Sequence, residues 1–459
     1  MRPGVSRYLD PRPAQVKKQV SQVAHISAPL KGLSQSSKLT PADPLTAPIL
    51  TNFVIEDDRI QARAGFTRIM THADAKPIEH LIPYYGQSQR LAAATNHKIV
   101  DADNGTLIKA GFTSNDWHWT SFSNLADRDY TIMVNGTDGV WSWDGTNITT
   151  DPGPVAVTNL SKSNPAVCTV ASGDIGKFSN GMTVLIAGAV GTGLVNANGS
   201  HVITNVNSPP NTFTLLGVDT SSAAAAQTTG VTADPPATGG IVKEVITVPP
   251  GNPWIDPNTF NIVLTHMNRL WFADTTNLCV FYLPVDQKGT VTSTDLKWLP
   301  LNAVFRRGGH IKAMYTWTLD GGAGLDDQLV LFSSNGEAVI YGGVDPDEDF
   351  RLTGIFRFDA PMSKHSCINY GGDLFVLIST GLVPMTTVIR EESEQLGKTE
   401  KSVLSLFLEQ SVLRGDAPGW QIMLNPSSGR LICNIPQGAT NSYAQMVRHM
   451  PRPVWSRWS

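Results

Sequence analysis

Few side chains in this 459-residue sequence stand at spacings that chemistry would use. Arg306 and Arg307 are adjacent and followed by Gly308 and Gly309. That pattern lets a backbone bend sharply while two guanidinium forks project from it. Such a pair suits carboxylates at an inter-subunit or inter-blade contact; DNA phosphates and a plain surface loop are the other readings. The acidic run Asp345 to Asp349 (DPDED) is either a solvated loop or a cation site, since Ca²⁺ wants several oxygens around a turn. Asp320, Asp326 and Asp327 stand among glycines and read the same two ways. The ten histidines are scattered; His97 and His310 flank predicted strand edges, and Glu79-His80 has no nucleophile at a telling distance. No GxGxxG follows a strand, and GxxxxGK[ST], HExxH, GxSxG and EF-hand loops do not occur. No carboxylate pair of the glycosidase kind stands out. The sequence therefore assigns no catalytic residue, no metal ligand and no cofactor.

Composition narrows the function classes further. Net charge is -4, so no global basic field draws nucleic acid or an anionic membrane. Cys168, Cys279, Cys367 and Cys433 are far apart and form no CxxC pair, which predicts buried free thiols rather than disulfides or metal ligands. No 18-residue apolar run is present, so no membrane-spanning helix is expected. The opening residues lack an apolar signal core.

The elements around these residues are short strands. Only 16% of residues are charged, and Gly 40 and Pro 30 are high, as in many strands joined by turns. One phrase recurs: apolar strand, tight polar turn, apolar strand. Copies run from Thr131 to Gly145, Asn268 to Pro284, Asp327 to Gly343, Gly372 to Val388 and Gly419 to Pro436. Each reads as a β-hairpin. A hairpin cannot bury its apolar face alone, so copies in series stack on one another at the roughly 40–50-residue period of propeller blades. Arg90 to Asp103 adds a hairpin turning at Asn96-His97.

Residues 156–240 break this rhythm. Strands are expected over Ala166 to Ala171, Thr183 to Ala187, His201 to Val206 and Thr212 to Leu216, followed by a polar return linker from Ser221 to Gly240. The segment reads as a small β-sandwich or barrel-like module inserted at a loop tip. Val403, Leu404, Phe407 and Leu408 mark one face of the best helix candidate. Trp455 and Trp458 either close the ring or lead into further chain. The fold class expected is all-β: a propeller in two parts, 39–155 and 241–459, an inserted module at 156–240, and an extended basic arm at 1–38. The arm carries Arg2, Arg7, Arg12, Lys17 and Lys18, candidates together with Arg306 and Arg307 for contacts with a neighbouring subunit or near DNA.

The series from Asn268 through Val383, together with the phrase from Ser27 to Phe66 ending in an R-x-G-F element at Arg63 to Phe66, resembles tail proteins of short-tailed bacteriophages. The likeness covers Ala47 to Gly145 and Asn261 to Pro436. It implies a structural, non-enzymatic virion protein, assembled in the host cytoplasm as a propeller-type nozzle or tail tube. The implied partners are copies of itself in a ring, a hexamer by expectation, with the head-tail adaptor or portal above and a fibre or needle protein below. Double-stranded DNA would pass without sequence recognition and without a membrane span. The competing functions are a receptor- or carbohydrate-binding tail protein and a propeller glycosidase.

Overall fold

The computed structural model describes residues 27–35, 43–56, 58–65, 67–71, 76–86, 88–124, 128–145, 154–178, 180–234, 241–252, 254–289, 294–318, 327–390, 403–437, 442–450 and 454–458. Six antiparallel sheets follow one another around an axis, making a six-bladed β-propeller. Each blade meanders outward from a first strand. These first strands are His80–Tyr85, His118–Asn124, Ile262–His266, Ile311–Thr318, Cys367–Tyr370 and Gln421–Asn425. First strands of successive blades touch one another from blade one to blade six, which puts them innermost.

Turn chemistry explains why the strands reverse where they do. Asn96 and His97 have φ of 46° and 61°, and Met267 and Asn268 have 49° and 54°. Two consecutive left-handed residues match the twist of a tight hairpin. All five hairpins expected from the sequence are present, each within one blade. Blade five has three strands, and the short helix Met385–Arg390 packs against the second and third of them.

The core lies between sheets rather than inside one. Ile82 and Ala92 of blade one meet Met133 and Trp143 of blade two. Phe122 and Ile132 meet Val263 and Phe272 of blade three. The same sheet-on-sheet contact repeats between blades three and four, four and five, and five and six. Alternation along each strand supplies this arrangement, because both faces of a blade are covered by its neighbours.

Blade two is interrupted. After its third strand, Val140–Trp143, the chain forms a closed six-stranded barrel and returns as the fourth strand, Ile241–Glu244. The barrel spans Val155–Leu160 to Val231–Asp234. The stretch read as a polar return linker therefore contains a strand: Val231 to Asp234 pairs with two others and seals the barrel. Polar composition hid it, since its inward-facing residues Val231 and Ala233 alternate with polar ones.

The N-terminal hairpin, Phe53–Ile55 and Ile60–Ala62, lies against the last strand of blade six, Val454–Trp458, with a parallel bridge from Thr51 to Arg457. Trp455 is buried there with Leu33, Phe407 and Trp420. The helix Leu404–Arg414 buries Phe407 and Gln410 but leaves Leu408 exposed, so Leu408 is not on its inward face. Among the described residues no helix is long and apolar enough to cross a membrane.

Candidate metal centre

Strand geometry gathers one residue set at the axis. His80 is the first residue of the innermost strand of blade one, and Asp116 sits two residues ahead of the innermost strand of blade two. Lys364 and His365 lie just ahead of the innermost strand of blade five. All four are at the start of inner strands, hence at one end of the axis.

His80, Asp116 and His365 each present a ligand atom, and the three atoms lie within 4.8 Å of one another. His80 Nε2 stands 3.6 Å from Asp116 Oδ1, too far for a hydrogen bond. Asp116 Oδ2 is 2.9 Å from Lys364 Nζ, which also donates to the Asp116 backbone carbonyl at 2.7 Å. The Asp116 side chain is 60% exposed, whereas that of Lys364 is only 7% exposed.

The hydrogen bonds fix the imidazole tautomers. His365 Nε2 is 2.9 Å from the Trp117 carbonyl. A carbonyl only accepts, so Nε2 carries the proton and Nδ1 keeps its lone pair. His118 accepts from Val263 N–H through Nδ1 at 3.3 Å and reaches the Lys364 carbonyl with Nε2 at 3.3 Å. Both of its nitrogens are committed. His80 Nδ1, by contrast, is buried with no partner among the described residues. The His365 ring stacks on His118 at 4.9 Å and packs against His80 and Trp119 at 5.0 and 5.2 Å.

Charge states follow from burial and neighbours. Burial, then the Lys364 charge, pulls the His118 imidazole down to about 3. Burial also holds His365 well below its ordinary value, helped by His118, His80 and Lys364. Lys364 is lowered by burial, with Asp116 working the other way. At Asp116 crowding raises the carboxyl, but His80 and the Lys364 ammonium outweigh it and keep it well below the usual carboxylate range. The cluster thus sets a carboxylate beside His365, whose imidazole is held neutral with a lone pair on Nδ1, and beside the ring of His80, residue types suited to a divalent ion.

The segment 363–366 also locks the blades together. Ser363 Oγ donates to the Trp420 carbonyl, Tyr315 OH to the Lys364 carbonyl, and Ile422 N–H to the His365 carbonyl. Blades four and six are held by the segment that meets blade two.

Two sequence expectations are corrected by this cluster. A purely structural virion protein without a chemical site, and a chain that is not an enzyme, were expected. Instead three side chains of the kinds that bind metals or move protons converge at one end of the axis, with Asp116 exposed. The sequence carries no usable signal: Glu79-His80 is set aside there for want of a nearby nucleophile, and the partners of His80 come from positions 116 and 365.

The other singled-out residues fall elsewhere. Arg306 and Arg307 are exposed on the loop between blades three and four. Their loop is pinned by Arg307 N–H to Glu337 Oε2 at 2.8 Å and Asn335 Nδ2 to the Arg307 carbonyl at 2.8 Å. The DPDED loop is an inter-blade clasp: Asp345 pairs with Arg269 at 2.6 Å, and Asp347 takes Lys297 at 2.5 Å and Tyr282 OH at 2.9 Å. His97 lies in its hairpin turn, and His310 precedes the first strand of blade four. The cysteines are free and buried. Arg2, Arg7, Arg12, Lys17, Lys18, Asp320 and Asp326 lie outside the described residues.

No family model matches the chain, and no curated protein matches it. Among solved structures, a candidate 6-phosphogluconolactonase of Bacteroides fragilis is 10% identical, with a TM-score of 0.35 over 82% of this chain and 79% of that one. A counterpart from Bacteroides uniformis is 8% identical, with a TM-score of 0.33 over 82% and 80%. The endosialidase of phage phi92 is 11% identical, with a TM-score of 0.23 over 81% and 53%. Likenesses of this size show neither a shared activity nor a shared substrate. None of these three is described as a tail tube or nozzle.

Proposed function

We propose that this chain is a metal-dependent hydrolytic propeller in which His80, Asp116 and His365 hold a divalent transition ion. One observation carries the reading: three donors from three separate segments lie within 4.8 Å, and Asp116 is open to solvent. Zinc-like ions take imidazole nitrogen and carboxylate oxygen at about 2.0–2.2 Å, and three protein ligands with an open position mark catalytic sites. The outer shell supports it as well. His365 donates its other N–H to a backbone carbonyl, and Lys364 holds one Asp116 oxygen while leaving Oδ1 turned toward His80. His80 faces Asp116 Oδ1 through Nε2 at 3.6 Å, which makes Nε2 the nitrogen that would meet the ion.

A bound ion would supply a water of lowered pKa for attack on an ester or phosphoester. The chain's own residues hold and orient. His118, with both nitrogens engaged, braces His365 rather than acting as a base.

The test is Co²⁺ and Zn²⁺ binding at neutral pH, with hydrolysis of p-nitrophenyl acetate and bis-p-nitrophenyl phosphate before and after chelation. About one ion per chain is expected, lost in His80→Ala and His365→Ala. No bound metal overturns the metal reading. Stoichiometric metal with neither substrate cleaved overturns the enzymatic part.

Self-association is a separate proposal, supported by the exposed Arg306 and Arg307. The pair would meet carboxylates of a second copy. Sedimentation unchanged in the Arg306→Glu, Arg307→Glu double variant would remove that support.

A further inference from the structure

A second site lies away from the axis, where the N-terminal hairpin leans on blade six. A cleft of ≈ 500 Å³ opens there. Arg63, just past the hairpin, and Arg430, at the start of the strand Arg430–Gln437, both line it. Among the described residues no carboxylate pairs with either guanidinium. Glu56, on the same hairpin, is taken by Arg59 at 2.7 Å and Gln61 at 2.6 Å. Two guanidiniums lining one concavity, with no carboxylate paired to either among the described residues, favour an anion between them.

The wall of the cleft is ordered for a ligand. Trp458 donates its indole N–H to the Phe53 carbonyl at 3.1 Å, which fixes the ring. The Arg63 guanidinium lies 5.0 Å from the centre of that ring. A guanidinium set over an aromatic ring still has N–H groups to offer oxygen atoms. Val54 and Trp458 add apolar surface beside the two cations.

We propose that this cleft binds a phosphate monoester, its phosphate between Arg63 and Arg430 and its organic body against Trp458 and Val54. Two guanidiniums match a group carrying about -1.5 to -2 at neutral pH better than they match a single carboxylate. The site is independent of the axial cluster, and neither reading needs the other.

Calorimetric titration of the full chain with phenyl phosphate, inorganic phosphate and benzoate tests it. Phenyl phosphate is expected to bind most tightly, with phosphate weaker for want of the ring and benzoate weaker for want of the second charge. Arg63→Gln and Arg430→Gln should each lower phenyl phosphate affinity about tenfold or more. The titration is run with EDTA present, so that no ion at the axial cluster binds the probe. No heat with phenyl phosphate at about 10 mM, which would saturate a millimolar site, overturns the proposal on the unmodified protein. Benzoate binding as tightly, or a folded Arg430→Gln variant binding phenyl phosphate as well as the parent, overturns it too.

Discussion

Lys364, on the segment leading into blade five, closes on Asp116, on the segment leading into blade two, which lies opposite in a ring of six. Nζ stands 2.9 Å from Oδ2 and 2.7 Å from the Asp116 backbone carbonyl. The contact ties a buried ammonium to a carboxylate that still reaches solvent. The same segment binds blades four and six, so one stretch of four residues braces the ring at the end where the candidate ligands sit.

Replacing Lys364 by Met removes two charge-assisted hydrogen bonds from the centre of this brace. Such bonds contribute about 1.5–3 kcal/mol each when both partners are buried, and the exposure of Asp116 trims the figure. We expect Lys364→Met to lose about 2 kcal/mol. Thermal unfolding read by circular dichroism checks it; an unchanged melting temperature would show that the brace contributes nothing.

Much of this fold is legible in the sequence, and the reason is local. Asn96-His97 and the loop Asn135 to Gly139 carry turn residues whose own backbone preferences mark hairpins. The barrel strand Val231–Asp234 was not legible, because two inward side chains amid polar ones give no clear period. The axial cluster was hidden for another reason. A propeller brings the starts of its inner strands together at the axis, so residues that meet there share no sequence neighbourhood. His80 and His365 become neighbours only once blades one to five have been laid down. The DPDED loop shows the same: its acids looked solvated because Arg269 and Lys297 come from another blade.

The clasp between blades three and four gives a second expectation. The Arg269 side chain is 6% exposed and ion-paired with Asp345. Asp345→Ala would leave a buried guanidinium uncompensated, a change that costs about 3 kcal/mol or more. Arg269→Met with Asp345→Ala should recover part of that loss. A double variant no more stable than Asp345→Ala would mean that unpaired charge is not the cause.

His266 gives the pH dependence a sign. Burial pushes its imidazole down to about 4, against about 6.5 in the unfolded chain. The folded protein therefore prefers it neutral. Its contribution is fully present above pH 6.5 and is lost as pH falls toward 4, by about 3 kcal/mol at the end of that window. Melting temperatures of parent and His266→Gln across pH 7.5 to 4.5 should converge as the pH drops. Curves that stay parallel would refute the assignment.

The four cysteines are expected to be silent in the native state. Burial raises the thiols of Cys168, Cys279 and Cys433 to about 12, and that of Cys367 well above its ordinary value. Thiolate, the reactive form, is then scarce at neutral pH and shielded from reagent. Ellman's reagent should report no fast-reacting thiol until denaturant is added, and four afterwards. One thiol reacting at the rate of a free peptide would identify a strand that opens.

The barrel should melt on its own terms. Its hydrophobic cluster runs from Val155 to Ala233 and includes no blade residue, with Phe178 and Phe213 stacked at 4.6 Å near its centre. At Gly188 the backbone is left-handed, φ 81°, and a Cβ there would lie 2.0 Å from the Gly230 carbonyl. Gly188→Ala therefore strains the closure of the barrel directly. Phe213→Ala removes core volume, at about 3–5 kcal/mol for a buried phenylalanine. Both changes should lower one calorimetric transition and leave the larger one in place, because the blades pack against each other through separate clusters. A single transition that moves as a whole in both variants would mean that the loss passes from barrel to blade two, and that the insert is a structural part of the ring.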